Sequence, residues 1–459
     1  MSEEAQSAPS TNTLVVTTSD TPLRNFFRTS ATGRIFIADN RTATCIDPMN
    51  SPFFDKMDEA NFGCVSYPNG GLANNDGVDP KPVYIGGGNG WDAKLAPPVD
   101  CAAFKGDLCK VYTYNGQDFD FFWAMTAWRN RMGADAYVQV NITKGTLEQA
   151  YRKIEQCSQN LIYVQFGEEC TDDFPNGAEY AKKCYEWYDA ICNHFPSQKF
   201  TGIFFVPMLW KKGVGTSAKA YQWANEIASV QPIDPSQWGI CQYCHLMYFI
   251  DGTGNIPHDV AEVDNAINNL LPQYAACIDN SPFVNCKVFI GQLSANEDAY
   301  TPEANKGVQY YVNAYVRMVN FFAQSLRDQR TRFIGVAYIG TDSWISKAIQ
   351  VNLDFQYVSV LNKIFGGGQK MLYTSQIDPM VDIIGTYKAD VYKIVMQNRK
   401  GVPVPLPASI NLDGVDVPFA PEKTVAYKCE RIDSVSASSY TPSTELFDYS
   451  INYFEVARP

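Results

Sequence analysis

Positive charge is scarce in this 459-residue chain. Lys and Arg number 37 against 49 Asp and Glu, only three residues are His, and the formal net charge is −12. A nucleic-acid partner requires a basic footprint over its phosphates, so DNA and RNA are excluded as principal ligands. Long apolar runs are also missing. None approaches the roughly 20 residues that a membrane-spanning helix needs, and candidates such as GIFFVPMLW (Gly202 to Trp210) are strand-sized. No membrane span is therefore expected. The opening residues MSEEAQSAPSTNT have no apolar segment and read as something other than a secretory leader. Cytoplasmic synthesis is expected, with an extracellular or virion destination left open.

Paired metal-ligand motifs are lacking too. The 13 cysteines are an odd number without a repeated short spacing, unlike the even sets of secreted disulfide frameworks. CQYC (Cys241 to Cys244) has zinc-like spacing, but no second pair accompanies it. An extended strand would also turn its two thiols to opposite faces. GGGNG (Gly86 to Gly90) lacks the Lys and the strand-then-helix setting of a phosphate loop. Neither a metal nor a cofactor is expected.

Aromatic residues, by contrast, are abundant. They make up 14% of the chain, with 27 Tyr, 27 Phe and 8 Trp. Such side chains serve equally to fill a core and to stack on sugar faces. Hydrophobic residues at 46% are enough for a large core.

From GRIFIADN (Gly33 to Asn40) onward, short apolar runs alternate with helical patterns or long loops. The further runs are GCVSYP, ADAYVQVN, NLIYVQFG, FTGIFFVPMLW, ICQYCHLMYFID, NCKVFIGQLS and FIGVAYIGTDSW. Eight strands so separated predict an α/β fold in which a parallel sheet closes into a (β/α)8 TIM barrel. After about Gly368 the pattern changes to short alternating runs split by Gly, Pro and Ser, which predicts a C-terminal antiparallel β-sandwich. The expected domains are a tail and strand at 1–32 that join the sandwich, a barrel at 33–368, and the sandwich at 369–459.

Function in such barrels gathers where the strands end. Those ends carry Asp39 and Asn40, Asn69 in a Pro-Asn-Gly-Gly turn, Asn141, Glu168 and Glu169, and Trp210. Further on they carry His245 with Tyr248, Gln292, and Asp342 with Trp344. Amides, carboxylates and aromatics suit a hydroxyl-rich ligand. On their own terms, two carboxylates after a strand could equally be a solvated helix start, and a lone strand histidine is commonly a core residue.

The order of these motifs resembles retaining glycosidases of the α-L-arabinofuranosidase, β-glucuronidase and heparanase type, over about residues 33–365. The likeness rests on a helix ending in Gly-Ala, a strand ending in Val-Asn (Val140-Asn141), and a Gly-Thr helix start. It rests further on a strand closing on Gly-Glu-Glu where the family has Gly-Asn-Glu, on SYPNGGLANNDGVD, and on His245 with Tyr248. The resemblance implies that Glu169 holds the acid/base position and that Glu168 replaces an Asn that bonds sugar. It also implies that the nucleophile should end strand seven, where this chain has Gln292, and Ser66 replaces the family's strand-two Arg. Retaining hydrolysis uses two carboxyls about 5 Å apart, and an amide cannot form the glycosyl ester. The expected function is a glycoside-hydrolase-fold protein that binds carbohydrate, an oligo- or polysaccharide, through Asn69, Asn141, Glu168, Trp210, His245, Tyr248 and Trp344, with hydrolysis lost. The alternatives are an active glycosidase with a displaced second carboxylate, and a scaffold subunit of an extracellular or virion assembly. A homo-oligomer or a larger assembly is compatible with each.

Overall fold

A computed structural model describes residues 13–22, 30–32, 55, 58–59, 61, 64–67, 113–114, 117–118, 129–245 without 144, 159–160 and 212, 261, 264–294, 332–338, 353–364, 369–428, 438–442 and 444–458. Strand β1 (Thr13–Pro22) comes first. Then follow β2 (Ser30–Thr32), β3 (Cys64–Tyr67), β4 (Asp135–Val140), β5 (Leu161–Phe166) and β6 (Lys199–Phe205). Next are β7 (Trp238–His245), β8 (Lys287–Ser294) and β9 (Arg332–Tyr338). Strands β2 to β9 pair in parallel and in chain order, and β9 returns to β2 through Ala337 opposite Ser30. The first described strand of this ring lies at Ser30–Thr32, directly ahead of the expected 33–40 run, which falls outside the described residues.

Helices α1 (Leu147–Glu155), α2 (Gly177–His194), α3 (Ala218–Val230) and α4 (Leu271–Asp279) follow β4, β5, β6 and β7 in turn, and α5 (Leu353–Asn362) follows β9. The crossover after β8, and all but residues 55, 58–59 and 61 of the one after β2, lie outside the described residues. Among the described residues no helix is long and apolar enough to cross a membrane.

Outward-facing strand residues meet the helices in an aromatic layer. Phe204 stacks on Trp238 with ring centroids 4.2 Å apart, and Tyr185 of α2 meets Trp238 edge-on. Gly202 is required beneath that ring, because a Cβ there would come within 2.5 Å of the indole. Tyr180 of α2 is fully buried and ties two strand ends together. Its hydroxyl donates to the Phe166 carbonyl at 2.8 Å and accepts from the Phe205 amide at 2.7 Å. Burial pushes the phenol well above its usual range, so it stays a protonated donor.

Apart from two-residue strands in small hairpins, the remaining strands are β10 (Lys370–Thr374), β11 (Val381–Lys388), β12 (Val391–Asn398), β13 (Ser409–Leu412), β14 (Val415–Pro418), β15 (Lys423–Lys428), β16 (Ser438–Tyr440) and β17 (Ser450–Ala457). With β1 they form one nine-stranded sheet in the order β14-β13-β1-β10-β11-β12-β17-β15-β16. This corrects the expected purely antiparallel sandwich. β1 inserts between β13 and β10, antiparallel to β10 but parallel to β13, so the sheet is continuous and mixed.

Both faces of the sheet are covered, and alternation along the strands sorts side chains between two cores. Ile383, Ile394 and Phe454 face one core with Leu14 and Val16, while Ile384, Val395 and Tyr453 join the core of the parallel ring through Val360, Leu361 and Ile364 around α5. Phe419, just beyond the edge strand β14, reaches Phe454 of β17 at 5.2 Å, so the sheet curls over its own core.

Candidate functional site

β5 is the fourth strand of the ring, and it ends on the turn Gly167-Glu168-Glu169. Gly167 has φ +71°, and Glu169 is also left-handed at φ 48° and ψ 31°. No side chain fits at 167, since a Cβ there would approach Cys170 Sγ to 2.9 Å. With left-handed residues on both sides, Glu168 is turned in and Glu169 out. Glu168 is 0% exposed, whereas Glu169 is exposed. The resemblance had put the proton-donating position at Glu169; the buried carboxylate belongs to Glu168.

Glu168 Oε2 accepts a hydrogen bond from Gln165 Nε2 at 2.5 Å and a second from Gln139 Nε2. Gln165 also donates to the Gly167 carbonyl at 2.9 Å, and its own oxygen accepts from the Tyr137 hydroxyl at 2.6 Å. These side chains come from β4 and β5, in register as Tyr137 with Tyr163 and Gln139 with Gln165. Tyr137 also lies against Phe289 of β8, with ring centroids 4.3 Å apart, so strands three and seven touch across the ring interior. A polar layer (Tyr137, Gln139, Gln165, Glu168) thus stands directly beneath the strand ends. Chemically it offers one fully buried carboxylate that accepts from two amide donors. Burial pushes the adjacent Cys170 thiol well above its usual range, with Asp173 and Glu168 adding to the shift. This cysteine is an inert packing group.

The two glutamines were missed in the sequence. The signal was present as a repeated Tyr-Val-Gln in AYVQVN and IYVQFG, two polar residues on one face of neighbouring strands.

The other candidates fall into three groups. Asn141 is buried just after β4, and its side-chain oxygen accepts from the Thr143 amide at 3.1 Å and hydroxyl at 2.8 Å, which closes a turn. Trp210 is only 7% exposed and belongs to the main core, the core-filling use of an aromatic rather than an exposed stacking face. Gln292 and His245 are backbone-placed on strands seven and six, with Tyr243 paired to Gln292 and His245 to Ser294. Asn69, Tyr248 and Trp344, like Asp39 and Asp342, lie outside the described residues. Among the described residues no cluster of three His, Cys, Asp or Glu side chains could hold a metal ion.

No protein-family model matches the sequence, and no curated protein does. Solved structures do resemble it. The family 51 α-L-arabinofuranosidase AbfB from Bifidobacterium longum has a TM-score of 0.63 at 11% identity, covering 96% of this chain and 99% of that one. The GH51 arabinofuranosidase from Xanthomonas axonopodis pv. citri gives 0.57 at 12% identity, with the same coverages. BuGH86wt, solved in complex with neoagarooctaose, gives 0.52 at 8% identity, over 97% of this chain and 79% of that one. Likeness at such identities concerns the fold alone. The chain has a glycoside-hydrolase-like fold with a β-rich domain attached.

Proposed function

We propose that this protein binds carbohydrate at the C-terminal ends of the ring strands and has lost conventional retaining hydrolysis. The observation that carries this reading is Gln292 on the seventh strand, in register beside Tyr243. A retaining glycosidase needs its nucleophilic carboxylate facing a second carboxyl from about 5 Å away, and an amide cannot do that work. Glu168, held by Gln139 and Gln165, sets a polar layer directly beneath the strand ends where a hydroxyl-rich ligand would sit. The same reading extends the ring to a full (β/α)8 barrel, with domains near 1–32, 33–368 and 369–459 adjusted so that the barrel begins by residue 30.

A second reading draws on a different observation. Glu168 is a fully buried carboxylate held by two amide donors, the kind of fixed group a general acid or base would be. In an active glycosidase it would work with a carboxylate other than residue 292. One experiment separates the two. The protein is titrated against a panel of soluble oligo- and polysaccharides while release of reducing ends is followed. Saturable binding without release, weakened about tenfold in Glu168→Ala, is the expected result. Release of reducing sugar that disappears in Glu168→Gln would overturn it in favour of catalysis. Failure to bind any glycan, with a defined higher oligomer in light scattering, would instead favour a scaffold role.

A further inference from the structure

At the other end of the ring, where strands begin, a largely open depression of about 410 Å3 lies between strands four and seven. Leu161, Lys199 and Lys287 are the first residues of β5, β6 and β8, and Ser236 lies two residues ahead of β7. With Tyr163 and Thr201 they line this cavity, and among the described residues no acidic one lines it. The sign of the charge is unusual, because the chain as a whole carries −12 and this concavity is walled by two ammonium groups.

The surroundings hold those charges in place without cancelling both. Lys287 Nζ donates to the Ser236 carbonyl at 3.2 Å, which fixes it at the rim. The Asp234 carboxylate is engaged by the Ser236 amide at 2.8 Å and hydroxyl at 2.7 Å and also feels the Lys287 ammonium, so Lys287 is partly neutralised and Lys199 carries the freer charge. Lys199 has no ion-pair partner among the described residues. Tyr163 and Thr201 are almost fully buried and bring an aromatic ring and a hydroxyl to the same space. Two cations at the rim and a ring with a hydroxyl inside suit a compact molecule that is anionic at one end and flat or hydroxylated at the other.

We propose that this cavity is a second ligand site, which takes a small ring compound bearing an oxyanion, a sugar phosphate or a sugar acid. It lies at the opposite end of the strands from Glu168 and does not depend on the carbohydrate reading of the mouth. Its test is calorimetric titration of the full-length protein at low ionic strength with glucose 6-phosphate, glucuronate, inorganic sulfate and glucose. The charged sugars are expected to bind saturably and at least about tenfold more tightly than glucose. Lys199→Met, at an exposed position that folding tolerates, should weaken them about fivefold, and Lys199→Met with Lys287→Met by about 25-fold. Lys219→Met, which removes an exposed lysine on α3 outside the cavity, should bind as the wild type does. Tighter binding of glucose 6-phosphate than of glucuronate identifies the phosphate ester as the source of the oxyanion, and the reverse order identifies the sugar acid. The proposal is overturned if glucose binds as well as the charged sugars or if sulfate alone matches them. It is also overturned if the folded double variant binds like wild type, or if nothing saturates.

Discussion

Glu169 holds a left-handed backbone conformation, which costs a residue with a Cβ about 1–2 kcal/mol. That cost keeps its neighbour Glu168 turned into the ring, against Gln139 and Gln165. Glu169→Gly removes the steric penalty but loosens the unfolded chain, so a net gain of about 0.5–1 kcal/mol is expected in urea unfolding. A loss of stability would show that the outward carboxylate makes contacts worth more than the strain. The choice between two adjacent glutamates could not be read from the sequence. It depends on the dihedral angles at 167 and 169, and of these only the glycine leaves a trace in the residue types. Trp210 illustrates the same limit, since an indole near a strand end packs or stacks according to what the neighbouring helix α4 brings to it.

At the scale of elements the sequence was far more informative. α1 begins with a reciprocal cap: the Gln149 amide donates to Thr146 Oγ1 at 3.3 Å and the Thr146 amide donates to Gln149 Oε1 at 2.9 Å. This is the Ser/Thr-x-x-Glu/Gln signature written into Thr146-Leu147-Glu148-Gln149. Just ahead, Gly145 lies where a Cβ would come within 2.5 Å of the Asn141 carbonyl, so the Gly-Thr pair has a packing reason in this turn. Thr146→Ala is expected to cost about 1 kcal/mol, measured by denaturant titration. A change within a few tenths of a kcal/mol would mean that Gln149 or water replaces the lost acceptor. Strands three to eight of the ring were legible for a similar reason. Buried parallel strands are short continuous apolar runs bounded by turn residues, and that pattern is local.

On the scale of the whole molecule, the ring and the curled sheet are joined by a shared core and by Arg399. Its guanidinium, 2% exposed, donates from Nη1 to Asp264 at 2.5 Å and from Nε to Asp382 at 2.7 Å, with Nη2 reaching the Pro379 carbonyl at 3.3 Å. Asp382 belongs to β11 and Asp264 to the chain between β7 and α4, so one side chain spans both parts. Arg399→Met leaves two partly buried carboxylates without this partner, and a loss of about 3 kcal/mol is expected in thermal unfolding. A loss below about 1 kcal/mol would mean the pair behaves as a solvated surface bridge. By itself the sequence determined the alternation of strands and helices, the change to a β-rich C-terminal part, and the place of Glu168 and Glu169 just after strand four and of Gln292 on strand seven. These follow from local periodicity and turn chemistry. Only the tertiary structure decided which glutamate enters the ring, that β1 lies parallel to β13, and that Lys199 and Lys287 share a cavity. Those outcomes depend on backbone dihedrals and on pairings between residues far apart in the chain, which local residue patterns do not encode.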